Sequence, residues 1–200
     1  MAHKRERSDR ARTRELLLDV MGRLLEEKGL DFSLPDLARE SGVATATVYR
    51  HFDNLGDLRE EFYRRHVTGL VDDLREIAMQ YRGRRLAHEL CRAWGVSCFR
   101  WARAATYIRS AEGFAERLAR GDAFVNGLYE EVLHPAVQGL IDDGVIPDQD
   151  PKYAALMWIT LFDERVIIDL TTVLGMSIEQ ATDALEGSLL GALGALGASR

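Results

Sequence analysis

Apolar residues recur every three or four positions along almost the whole chain, and helix start and stop signals cut that pattern into pieces of very different length. Strand-like alternation is absent, and 27 Leu and 23 Ala stand against 12 Val and 8 Ile. The expectation is an all-α fold of about nine helices. The first runs from about Arg10 to Lys28, with Leu16, Leu17, Val20, Met21, Leu24 and Leu25 as its apolar stripe and Gly29 as its left-handed stop. Ser33 caps a second, with Pro35 in the first turn and Asp36 at the capping-box position, and Ser41-Gly42 ends it. A third covers Thr45 to His51, and Asn54 caps a long fourth that Gly83 breaks. A fifth spans about Arg84 to Ala104, followed by a less regular stretch to Arg120. Gly121-Asp122 opens a helix to about Asp143, and Asp150-Pro151 launches a nearly all-apolar one to Leu174. Ser177 and Gln180 form the capping box of the last helix, to about Leu196.

The segment from Phe32 to Leu58 says most about function. Two helices of about two turns on either side of a Gly-containing turn make a helix-turn-helix, over about residues 34–53. Leu37, Ala38, Val43, Val48 and Phe52 are spaced to pack inward, and the small Ala38 and Gly42 let the helices cross closely. Thr45, Ala46, Thr47, Tyr49, Arg50 and His51 are left facing outward. They are hydroxyls and cations without an acid, suited to phosphate oxygens and base edges. The same shape also occurs as plain core packing, so an alternative stands: a helical small-molecule-binding or enzymatic domain whose helix-turn-helix is only structural.

The run Gly42-Val43 through Thr47-Val48-Tyr49-Arg50-His51-Phe52, with a helix in front and a long all-α remainder behind, resembles the TetR family of bacterial transcriptional regulators. That resemblance implies that Thr47 and Tyr49 hold the DNA backbone. It also implies that Thr45, Ala46 and Arg50 face the major groove, and that the Ser33 hydroxyl reaches a phosphate. Two positions depart from the family pattern. Ala44 stands where Ser is usual, which would shift the cap of the reading helix to Thr45, and Leu55 stands where a phosphate-touching Lys is usual. DNA binding here is therefore expected to lean on Arg50 and on the basic N-terminal arm.

Charge is divided unevenly. The formal net charge of −6 would argue against a nucleic-acid partner if taken whole. Residues 1–14, however, carry Lys4, Arg5, Arg7, Arg10, Arg12 and Arg14 against only Glu6 and Asp9. Such an arm can track a phosphate backbone or enter the minor groove, or it can be a merely soluble tail. The acidity belongs to residues 66–200. The expected division is a DNA-binding domain over 1–54 and a ligand-binding and dimerisation domain over 55–200.

In the second part Trp94, Cys98 and Trp101 fall at i, i+4 and i+7, and Phe114, Phe124, Trp158 and Phe162 add to the aromatic inventory. Such stripes usually form core. The resemblance makes these residues candidate walls of an effector pocket, with Arg165 either a polar anchor or the partner of Asp169. The last two helices hold Ala154, Ala155, Ala184, Leu185, Leu189, Ala192 and Leu193, a seam for a homodimer. A two-fold dimer would set two reading helices about 34–36 Å apart on a palindromic operator of double-stranded DNA.

Catalysis and metals find no support. His3, His51, His66, His88 and His134 have no metal-binding spacing, and no phosphate-loop or nucleophile-elbow motif occurs. Cys91 and Cys98 are seven residues apart, about 10 Å along a helix, too far to bridge. Cys98 reads as a small buried hydrophobe. The expectations are a cytoplasmic protein without a membrane span, no cofactor, no catalytic residue, and regulation by a small hydrophobic or aromatic effector, as a repressor.

Overall fold

The computed structural model describes residues 2–29, 31–105 and 113–194, and of residues 2–8 and 100–105 the backbone only. Among the described residues every regular element is a helix: α1 (Ala2–Lys28), α2 (Leu34–Ser41), α3 (Thr45–His51), α4 (Leu55–Gln80), α5 (Gly83–Ala105), α6 (Phe114–Ala119), α7 (Ala123–Leu128), α8 (His134–Asp142), α9 (Pro151–Leu161), α10 (Glu164–Ile168) and α11 (Ile178–Ala192). Two wider π turns, Tyr129–Leu133 and Asp169–Val173, continue α7 into α8 and extend α10. The chain forms two compact units that divide within α4, between Val67 and Thr68, with the end of α5 from Arg103 grouped with the first.

In the first unit α1, α2 and α3 close over Leu17, Leu18, Val20, Met21, Leu24 and Leu25 of α1, with Leu37, Val48, Phe52, Leu58 and Phe62 buried against them. The stripe on α1 is the expected one at Leu17, Val20, Met21, Leu24 and Leu25 and differs at a single position. Leu16 is exposed and Leu18 buried, because the rotation of a long helix is set by what packs on it. The helix also begins well before Arg10, so the backbone of the basic arm is the first part of α1 rather than an irregular tail. The side chains of Lys4, Arg5 and Arg7 lie outside the described residues.

The second unit is built from the rest of α4 and the helices from α5 onward around Leu86, Leu90, Val132, Val137, Leu140 and Trp158. Its tightest crossing is made by glycines. Gly83 starts α5 at φ +58°, and a Cβ on it would overlap the Asp143 carboxylate. A Cβ on Gly139 would stand 2.8 Å from Gly83 Cα. Asp143 uses the space, since its Oδ2 accepts from the Arg84 N–H at 2.8 Å and supplies a carboxylate at the positive end of α5.

The expected single helix from Asp150 to Leu174 is interrupted. Phe162 leaves the helix at φ −89°, ψ 28°, and the Asp163 carboxylate caps a new one by accepting from the Arg165 N–H. The expected helix from Gly121 to Asp143 is widened over Tyr129–Leu133, just before Pro135. Proline has no N–H for the carbonyl a turn earlier and its ring crowds that carbonyl, so the preceding turn opens to i+5 bonding. The anticipated dimer seam is also corrected, because Ala154, Ala155, Leu185, Leu189 and Leu193 are buried within the chain itself. On α11 the outer face is small: Ala184, Gly187, Ser188, Gly191 and Ala192.

Candidate nucleic-acid interface and aromatic core

The helix-turn-helix is fixed by short-range bonds. Ser33 Oγ accepts from the Asp36 N–H, while both the N–H and the hydroxyl of Ser33 donate to Asp36 Oδ2, at 2.9 and 2.6 Å. Arg39 Nη2 donates to the other oxygen at 2.6 Å. The Ser33 hydroxyl, the Ser33 N–H and Arg39 hold the Asp36 carboxyl down at about 2. At the turn Gly42 adopts φ +67°, its N–H returns to Ala38 and Arg39, and nothing lies within 4 Å of a Cβ built there. Conformation, not space, requires glycine at that position.

The third helix presents what the sequence places on it. Val48 and Phe52 are buried, Val43 is half-buried, and Thr45, Ala46, Tyr49 and Arg50 are exposed, Tyr49 to 49%. Ser33 is exposed as well, though its hydroxyl is engaged by Asp36. Thr47 and His51 are half-buried. His51 turns toward α1: its Nδ1 is buried without a hydrogen-bond partner, and burial, then the charges of Arg10 and Arg14, lower its pKa. The helix begins at Ala44 without any side-chain cap, so the cap does not pass to Thr45. Leu55 stands half-buried at the start of α4, whose first turn is capped by Asn54 Oδ1 accepting from the Asp57 N–H at 3.0 Å.

Sequence reasoning counted Arg14 as part of the arm and missed its structural work. Its guanidinium lies 4.6 Å from the Phe52 ring centroid, donates to the His51 carbonyl at 3.1 Å and meets Glu61 at 3.5 Å. One side chain of α1 thus braces the end of α3 and the start of α4. The position of Arg14 one turn before Leu17 and Leu18 of the buried stripe was the available signal.

In the second unit Trp94, Cys98, Trp158 and Phe162 are all buried. Phe162 lies 6.4 Å from Trp94 and 6.4 Å from Trp158, centroid to centroid. Phe114 and Phe124 are half-buried against the same core. Trp101 belongs to α5, but its side chain lies outside the described residues. Arg165 does not pair with Asp169. It grips Asp163 through Nε at 3.0 Å and Nη2 at 3.1 Å and is 63% exposed, so it faces solvent rather than the aromatic cluster. Tyr129 was not singled out from the sequence, yet it is buried, with Phe114 at 6.5 Å and His134 at 5.6 Å. Its place in the series Val125, Leu128, Tyr129, Val132, Leu133 is the signal that marks it. Burial, then the charge of Glu164, pushes the Cys98 thiol well above its ordinary value. Among the described residues no helix is long and apolar enough to cross a membrane, and no group of His, Cys, Asp and Glu is arranged to hold a metal.

Residues 17–62 match the family model described as bacterial regulatory proteins, tetR family. No curated protein matches the chain with significance. Among solved structures, the fold is shared with the fatty acid degradation regulator FadR from Bacillus halodurans (TM-score 0.67, 17% identity, 92% of this chain and 97% of that one). It is shared too with FadR from Bacillus subtilis in complex with stearoyl-CoA (0.64, 18%, 90% and 96%). A third is the TetR-like regulator LfrR from Mycobacterium smegmatis in complex with proflavine (0.61, 21%, 94% and 99%).

Proposed function

We propose that this chain is a TetR-family transcriptional regulator, a reading supported by the family match over residues 17–62, and that it is a homodimeric repressor released from a palindromic operator by a small hydrophobic or aromatic effector. The observation that carries the reading is α3, where Thr45, Ala46, Tyr49 and Arg50 stand exposed on a helix locked from behind by Val48 and Phe52. No acid on that face would repel phosphate. Arg50 is assigned to base edges or phosphate, Tyr49 and Thr47 to the backbone of the duplex, and Ser33 to a phosphate at the start of α2. His51 contributes through the C-terminal end of α3, whose carbonyl Arg14 holds.

The effector is assigned to the aromatic core of the second unit, in keeping with the ligands named for the regulators of like fold. Trp94, Cys98, Trp158 and Phe162 form its centre, and Phe114 and Phe124 its rim. Arg165, tied to Asp163, keeps the joint between α9 and α10 in shape rather than touching the effector. Dimerisation falls to the outer face of the last helices, where Ala184, Gly187, Ser188, Gly191 and Ala192 allow close approach beside the exposed Tyr153. Release requires that the effector bind the form that does not fit DNA more tightly, and by linkage operator DNA must weaken the effector equally.

Retardation of the DNA upstream of the chain's own coding sequence, read at several salt concentrations, tests the reading. A salt-sensitive, sequence-selective complex is expected. Arg50→Ala should relax preference at one base position by about 1–3 kcal/mol if Arg50 reads a base. Equal effector affinity with and without operator would overturn the release mechanism.

A further inference from the structure

Resting on the effector reading of the second unit, we propose that the indole N–H of Trp158 is the effector's polar anchor. The effector class that follows is an uncharged, largely aromatic molecule carrying one hydrogen-bond acceptor.

Trp158 has no exposed surface, and its Nε1 is buried without a hydrogen-bond partner. An indole nitrogen can only donate, so the atom asks for an acceptor. Native cores seldom leave such a donor unmade, because it has given up water and received nothing in return. A second buried indole, Trp94, lies across Phe162 from it. Two buried tryptophans thus flank Phe162, and the buried N–H of Trp158 is left without an acceptor.

The surroundings narrow the ligand. The rings of Trp94, Phe162 and Trp158 offer faces and edges to a planar guest. Asp163 and Thr182 are the buried polar residues among those described. Both Asp163 oxygens are held by Arg165, and Thr182 donates to the Ile178 carbonyl. Among the half-buried charges of this unit, His88 is matched to Glu186, Arg117 to Asp122, and Glu164 is engaged as well. Among the described residues no buried cation is there to meet an anionic guest, whereas a carbonyl or ether oxygen finds its donor already in place. Trp158 lies in the last turn of α9, and its carbonyl accepts from the Phe162 N–H at the break before α10.

The experiment uses the full chain labelled with 15N at its three tryptophans, which gives indole signals assignable through Trp94→Phe, Trp101→Phe and Trp158→Phe. The probes are naphthalene, 2-acetylnaphthalene, 2-naphthoate and 2-naphthylmethylammonium. The expected result is that 2-acetylnaphthalene binds about tenfold tighter than naphthalene, about 1.4 kcal/mol. It should move the Trp158 indole signal downfield and slow its exchange, with both charged probes weaker than the ketone. Trp158→Phe should erase the preference for the ketone, so that 2-acetylnaphthalene and naphthalene bind alike whatever their common affinity. An unmoved Trp158 signal at saturation, a preference that survives in Trp158→Phe, or no binding by any of the four overturns the assignment. If that variant does not fold, the wild-type signal decides alone. The regulator reading fails on a separate readout, the absence of a salt-sensitive operator complex, so the two failures are distinguishable.

Discussion

Replacing Arg14 by Met separates bracing from phosphate contact. The guanidinium makes a charged hydrogen bond to the His51 carbonyl at 3.1 Å, a cation–π contact at 4.6 Å with Phe52 and an ion pair at 3.5 Å with Glu61. A charged hydrogen bond is worth about 1.5–3 kcal/mol when well sheltered, the ring contact about 0.5–1 and the ion pair about 0–1. The side chain is 35% exposed, so solvent screening takes the first to the bottom of its range, and three contacts of one group do not add. Water also reaches the half-buried His51 carbonyl once the arginine is gone. About 1–2 kcal/mol is left, a factor of about 5–30 in the local opening of the C-terminal end of α3. Amide hydrogen exchange at Phe52, whose N–H donates to Val48 at 3.0 Å, reads that opening directly. Operator affinity should fall alike on all sequences, because a loosened reading helix weakens every contact it makes. The slope of log affinity against log salt should not change. Unchanged exchange at Phe52 together with a slope reduced by about 0.9 would refute the brace, since that pattern belongs to a side chain that displaces a counterion from phosphate.

Three further outcomes follow from the same structure. The Asp36 carboxyl titrates near 2 when folded against 3.8 when free, so its support of α2 is complete above about pH 4 and is lost as pH falls toward 2. Carboxyl NMR of Ser33→Ala and Arg39→Ala should show the midpoint rising, and a midpoint that stays near 2 in both variants would contradict the assigned causes. Gly139→Ala pushes a Cβ to 2.8 Å from Gly83 Cα, where only backbone can yield, and should cost about 1–3 kcal/mol in denaturant midpoint at constant slope. A neutral substitution would mean that the α5–α8 crossing is looser than described. Leu55→Lys, at the half-buried first position of α4, should strengthen operator binding and steepen its salt dependence by about one charge, whereas an unaltered slope would place position 55 away from phosphate.

The head was legible because its determinants are local. Ser33 and Asp36 are three residues apart and cap each other, Gly42 sits where the left-handed turn falls, and Thr45–His51 is bounded as its residues imply. What escaped is non-local. Arg14 and the His51 carbonyl are separated by 37 residues, so nothing in either neighbourhood announces their bond. The exchange of Leu16 for Leu18 has the same origin, because both fit a helical stripe and only the packed neighbours decide the phase. The aromatic residues of the second unit were picked out by type and spacing, but whether each faces core, rim or solvent depends on helices far apart in the chain.

The break between α9 and α10 shows how one residue can override a pattern. From Tyr153 to Phe162 the chain is uncharged and largely apolar, and hydrophobicity alone continues the helix to Leu174. Asp163 is the exception, since a carboxylate inside an apolar helix would be buried with no donor, whereas at a helix start it accepts from the N–H of Arg165. The arginine then closes on both oxygens and neutralises the charge at the joint. Arg165 is therefore spent on making a buried acid tolerable, and no buried cation is left among the described residues of the second unit to meet an anionic guest. On the proposed reading, the interruption that a sequence pattern overlooks is what suits the aromatic core to neutral ligands, with the buried, unpartnered Trp158 N–H as its polar atom.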